Sequence, residues 1–156
     1  MKAPVVVWGI VMLVVFSGAN WLLATKALAE SWLWVALAII FLVLNFWVGK
    51  TMKKQPKGSQ PVWMALSVFG FITTLAVAFN LVPVPMWWLM SLWLILMGAA
   101  IGVGGHVGGN QLNMFFGIVQ IFAALFVGAF AGSYLLAGAL FFGFLAVVHG
   151  YFIGEE

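Results

Sequence analysis

Residues 31–49, SWLWVALAIIFLVLNFWVG, contain no charged side chain, and Glu30 and Lys50 bracket them. A membrane-crossing helix needs about 20 mostly apolar residues, and this run has that length. No water reaches its backbone in lipid, so an α-helix is the default. A membrane β-barrel needs segments of about ten residues with alternating polarity, and the sequence holds none. Working outward, runs of the same kind cover residues 5–25, 62–82, 86–104, 112–132 and 133–153. The reading is an all-α, polytopic integral membrane protein, with six transmembrane helices forming one domain over residues 1–156.

Composition points the same way. The chain is 66% hydrophobic and 6% charged, with a mean hydropathy of +1.22; a soluble domain uses roughly a quarter of its residues as charges. Cysteine is absent, which excludes disulfide scaffolds, thiolate metal sites and cysteine nucleophiles. A nucleic-acid partner is not expected, because its binder spreads Lys and Arg along a face and this chain has no arginine. Lys2, the apolar run and Ala27-Leu28-Ala29 resemble a signal peptide, but the run is long enough for a full span and is read as the first helix.

The breaks between runs carry direction. Lys50, Lys53, Lys54 and Lys57 share a polar loop that Pro56, Gly58 and Pro61 keep from continuing a helix. Positive residues stay cytoplasmic, so this loop and both termini are expected inside, with Lys26, Glu30 and the Pro83-Val84-Pro85 turn outside. Trp8, Trp32, Trp34, Trp47, Trp63, Trp87 and Trp88 fall near span ends, as an interfacial aromatic belt requires. The expected location is the cell membrane, as a multi-pass protein whose partners are lipid and either further copies of itself or subunits of a larger complex.

Thirteen of the eighteen glycines follow residue 97. Glycine pairs four apart let helix backbones approach closely. Gly98 with Gly102 and Gly128 with Gly132 are therefore candidate packing residues, in a tight core of the last three helices or in an oligomer seam.

No carboxylate lies between Glu30 and Glu155, whereas ion-coupled carriers commonly place one at mid-membrane. The polar groups that remain form layers. Asn20 and Asn80 fall in the outer third with Ser133 and Tyr134. Gln120 lies about 12 Å into its helix at 1.5 Å per residue, near mid-membrane. Asn45, Asn113 and His149 fall in the inner third, and His106 sits in the glycine-dense connection 102–110. These groups either line a path for a small hydrogen-bonding solute or act as interhelical glue. His106 and His149 at similar depth admit three roles: iron or other metal ligation, a pH response, or interfacial hydrogen bonding. With no arginine for haem propionates and no acidic partner for either ring, no cofactor and no metal is expected. The glycine-dense stretch lacks the ending of a phosphate-binding loop and is read as a flexible hairpin.

The stretch Val68-Phe69-Gly70-Phe71-Ile72-Thr73-Thr74-Leu75, followed by Ala78 and Asn80, resembles the FGFTYL…N stretch of the small amide and urea channel family. Gly9, Ser17, Gly18, Asn20 and Asn45 are compatible with that family's opening hairpin. The resemblance covers roughly residues 5–80; the family's final-helix glutamate motif has no counterpart here. It implies a six-helix protomer, an oligomer with a pore in each subunit, and passage of small neutral amides. The functional expectation is a passive channel or facilitator for such a solute, with a non-catalytic subunit of a membrane complex as the alternative. An enzyme is not expected, since no carboxylate pair, cysteine or serine with a base and orienting partner stands out.

Overall fold

The computed structural model describes residues 3–51 and 59–152, and every regular element among them is helical. Six helices are long and apolar enough to cross a membrane: Pro4–Ala24, Glu30–Thr51, Gln60–Ala78, Trp87–Val107, Gln111–Phe130 and Tyr134–Phe152. The first four are regular: α1 (Ala3–Ala24), α2 (Glu30–Thr51), α3 (Ser59–Ala78) and α4 (Trp87–Val107). The last two are not. The fifth span starts as α5 (Gln111–Ala123) and tightens into a 3-10 helix over Ala124–Ser133. The sixth is α6 (Tyr134–Gly138), a π-helical segment (Ala139–Phe144) and α7 (Leu145–Phe152). Lys53, Lys54 and Lys57 of the polar loop lie outside the described residues.

Helix ends are set by backbone chemistry more than by hydropathy. Asn80 takes a left-handed conformation (φ 57°), with its own N–H bonded to Val77 O and that of Leu81 bonded to Ala76 O. This is the Schellman pattern, which consumes the carbonyls a helix end leaves over. The same pair of bonds ends α1 at Lys26 (φ 56°) and α4 at Gly109 (φ 65°). Hence α3 stops at Ala78, short of the expected residue 82, although Leu81 and Val82 are apolar.

Each span packs against the next, the sixth closes against α1, and α4 also reaches α6. Buried residues recur at helical spacing, as in Trp8, Met12, Phe16 and Ala19 on α1, or Trp34, Leu37, Phe41 and Asn45 on α2. The remaining faces are apolar too, which is the pattern of a helix solvated by lipid. The middle is filled by aromatic rings. Phe41 and Trp93 stack with centroids 4.5 Å apart, Phe16 and Phe142 stack at 5.8 Å, and Phe142 meets Phe41 edge-on at 5.1 Å. All four are fully buried, so the bundle axis is solid there.

Glycine sets the closest backbone approaches. A Cβ added to Gly117 would stand 2.6 Å from both Gly98 O and Gly102 N. A Cβ on Gly98 would stand 2.7 Å from Gly117 O, so of the expected pair Gly98 makes the close approach to α5. A Cβ on Gly102 meets nothing within 4 Å. A Cβ on Gly143 would stand 2.7 Å from Leu13 N, which ties the sixth span to α1. Gly128 behaves differently, because a Cβ there meets nothing within 4 Å; it opens outward and makes no helix contact within the protomer. The surroundings of Gly132 lie outside the described residues.

Candidate functional site

Buried polar groups fall into two sets. The first ties the early helices together. Asn45 is fully buried; its Oδ1 accepts from Trp8 Nε1 at 3.2 Å. Its Nδ2 donates to Ser67 Oγ at 3.0 Å and contacts Met97 Sδ at 3.4 Å. Side chains from α1, α2, α3 and α4 therefore meet at one amide, and both its donor hydrogens are engaged. Nearby, Trp93 Nε1 donates to Thr74 Oγ1 at 2.9 Å, and Thr74 donates to Gly70 O at 2.7 Å. Of the two roles open to Asn45, the geometry is that of glue.

Trp8 and Trp34 also depart from the expected belt. Both are buried, and their indole N–H groups serve as interior donors. Trp32, Trp47, Trp87 and Trp88 remain exposed, as a belt requires. The spacing of Trp34, Ala38, Phe41 and Asn45 puts Trp34 on the buried face and Trp32 off it.

The second set lies on the fifth and sixth spans. Tyr134 ties the sixth to α2, and Ser91 ties α4 to the fifth. Gln120 with Phe141 O and His149 with Asn113 form the seam where the fifth faces the sixth. At one end Tyr134 OH donates to Glu30 Oε1 at 2.6 Å and accepts from Trp34 Nε1 at 2.9 Å. Next, Ser91 Oγ donates to Ala124 O at 3.0 Å, where α5 tightens into the 3-10 helix. Then Gln120 Nε2 donates to Phe141 O at 3.4 Å. At the far end His149 Nε2 lies 2.7 Å from Asn113 Oδ1, with Phe116 stacked on the imidazole at 4.3 Å. An amide oxygen only accepts, so that ring nitrogen carries the hydrogen. On either span these stations are roughly 10 Å apart, from Asn113 to Gln120 and from Tyr134 to Phe141, at 1.5 Å per residue. The backbones of α5 and α7 touch sparsely, and polar side chains bridge them.

The irregular backbone explains the donors. A π segment slips the hydrogen-bond ladder by one residue. Leu145 N–H reaches back five residues to Leu140 O, and Phe141 carries the next carbonyl along. Phe141 O, in this segment, accepts from Gln120 of the neighbouring span. Ala124 O, where the fifth span tightens, accepts from Ser91 in the same way.

Gln120 is only 3% exposed, yet its Oε1 is without a hydrogen-bond partner among the described residues. Turning the amide over would not help, because it would set Oε1 against the Phe141 carbonyl and pair two acceptors. Leaving a buried acceptor unmade costs about 1–3 kcal/mol. Trp63 Nε1 is in the same position, but it lies near the start of α3, whereas Gln120 is in mid-span.

The sequence-predicted layer therefore separates. Asn113, Gln120 and His149 come together along one seam, Tyr134 pairs with Glu30 and Trp34 of α2, and Asn45 belongs to the other set. Asn80 is an exposed helix cap. Asn20 is half-buried on α1 and makes no side-chain hydrogen bond among the described residues. His106 is exposed in the last turn of α4, unlike buried His149. Among the described residues no three His, Asp or Glu side chains gather as metal ligands would. Glu30, Trp34, Ser91 and Phe141 O were not expected at the site. The first three are polar or amphipathic residues whose helix face the sequence gives; the carbonyl has no mark in the sequence.

No protein-family model, curated protein or solved structure matches this chain. The physical description stands by itself: six membrane-length helices around a solid aromatic core, with one polar seam off the axis.

Proposed function

We propose that the protein is a passive facilitator for a small neutral solute, and that the solute passes along the seam between the fifth and sixth spans. The observation that carries this reading is Gln120, a buried mid-span amide with an unmade acceptor, about two helical turns from the Asn113–His149 pair on the same seam. The interior offers hydrogen bonds without charge, which suits an uncharged, hydrogen-bonding permeant. The resemblance of residues 5–80 to the small amide and urea channels contributes the solute class only, because the seam lies outside those residues. The working arrangement is a homo-oligomer in the cell membrane, with both termini and the 50–61 loop cytoplasmic, and no catalytic step.

The solid aromatic core favours a second reading. A filled bundle axis and apolar outer faces suit a non-catalytic subunit that packs against other membrane proteins. Flux in proteoliposomes separates the two. Wild-type protein is expected to pass acetamide above the rate of empty liposomes, and Gln120→Leu to cut that flux about tenfold, the equivalent of about 1.4 kcal/mol. Absence of wild-type flux for every small neutral solute tried hands the case to the subunit reading. Flux that survives Gln120→Leu unchanged removes Gln120 from the path.

A further inference from the structure

The turn between α3 and α4 is a run of seven exposed residues, Phe79-Asn80-Leu81-Val82-Pro83-Val84-Pro85. Six of them are apolar, and Leu81, at 77%, is the most exposed large hydrophobic residue described. A contiguous apolar surface of this kind marks a contact with something other than water. The backbone of the turn has already met its own needs. Phe79 N–H donates to Leu75 O, Asn80 N–H to Val77 O, those of Leu81 and Val82 to Ala76 O, and that of Val84 to Val82 O. Pro83 and Pro85 carry no N–H. From Phe79 to Pro85, then, no backbone donor is left for solvent.

The α1–α2 connection lies at the same end of the bundle, since Trp32 of α2 and Phe79 meet edge-on at 6.1 Å. It is built differently. Lys26 and Glu30 bring charge, and the N–H groups of Leu28 and Ala29 find no acceptor among the described residues. That connection needs water. The α4–α5 turn also spends its donors, but it carries His106, Asn110 and Gln111. Among the described turns, spent donors and apolar side chains coincide at α3–α4 alone.

We propose that the α3–α4 turn lies in lipid at the membrane interface and anchors the hairpin of α3 and α4 there, while the α1–α2 connection beside it stays in water. Lipid accepts apolar side chains but cannot satisfy a free N–H; this turn presents the first and lacks the second. Trp21, Trp32, Trp87 and Trp88 are exposed around the same end, and indole rings collect at the headgroup level. The Asn80 amide, the one polar side chain of the turn, has ester and headgroup oxygens to bond at that level. A protein partner that docks by backbone pairing finds no donor to accept from here. The placement holds whether or not the protein passes a solute.

Site-directed spin labelling tests this in the full-length protein, which has no native cysteine. Leu81→Cys, Val84→Cys and Ala27→Cys all change exposed residues. Each variant is labelled with a nitroxide and reconstituted in liposomes with a nickel chelate on both faces, so the result does not depend on orientation. Oxygen concentrates in lipid and the chelate stays in water, and power saturation ranks the two collision rates. Oxygen is expected to lead at positions 81 and 84, and nickel at position 27.

Nickel leading at 81 and 84 as well puts the turn in water and overturns the proposal. Low collision rates with both reagents at 81 and 84 also overturn it, because protein, such as a second copy of the chain, then covers the turn. Oxygen leading at all three positions does the same, since the charged connection would share the lipid and spent donors would not be what sorts the two.

Discussion

At the scale of single residues, burial sorts side chains that look alike in the sequence. Asn45 and Gln120 are both deep amides, but Asn45 has both donor hydrogens and its oxygen engaged, whereas Gln120 keeps a bare acceptor. Asn45→Leu takes the acceptor from buried Trp8 Nε1 and is expected to cost about 1–3 kcal/mol. Interhelical polar contacts measured in membranes average about 0.6 kcal/mol, which favours the low end. Adding Trp8→Phe removes the stranded donor as well, so the double variant should be more stable than Asn45→Leu alone. Unfolding in mixed detergent micelles measures both. A double variant that loses as much as the two single variants summed would deny that Asn45 and Trp8 act as a pair.

Among elements, the contrast is between four regular helices and two that change pitch. Runs of 3-10 helix longer than three or four residues are uncommon, and here one extends over Ala124–Ser133. Its regularity is lost where α4 offers Ser91, and that of the sixth span where α5 offers Gln120. None of this was legible in the sequence, because Leu140-Phe141-Phe142 reads as any apolar helix does. The α4–α5 contact was half legible: Gly98 was marked as a packing residue, but nothing marks Gly117 as the glycine it meets, and Gly102 has open space where a Cβ would go. Gly117→Ala puts a methyl group against the α4 backbone at Gly98 and Gly102, which cannot yield as side chains do. Overpacking of this kind costs typically 1–3 kcal/mol, and the variant should lose that much. Gly128→Ala, whose Cβ meets open space, should change the protomer's stability little. Thermal melting in one detergent compares the pair. Equal losses would remove close approach as the reason for glycine at 117.

For the whole molecule, the fold was legible because length and charge decide it before any detail does. Six uncharged runs of membrane length leave few other architectures, and the described spans agree with them within a few residues, apart from the early end of α3 at Asn80. Direction is a separate matter, since a bundle inverted across the bilayer keeps every internal contact. Lysine is the residue that breaks this symmetry. Lys50 ends α2 beside the cluster 53–57, while Lys26 stands alone between α1 and α2. Each Lys or Arg near an anionic cytoplasmic leaflet gains about 1 kcal/mol, so the end with five lysines, Lys2 included, is favoured inside by roughly 4 kcal/mol over the end with one. The native chain has no cysteine, and both Ala27 and Gln60 are exposed at opposite ends of α2 and α3. A membrane-impermeant maleimide added to intact cells should therefore label Ala27→Cys, and label Gln60→Cys only after the membrane is opened. The reverse pattern inverts the protein, and labelling of both from outside would mean a mixed population that the lysine cluster does not control.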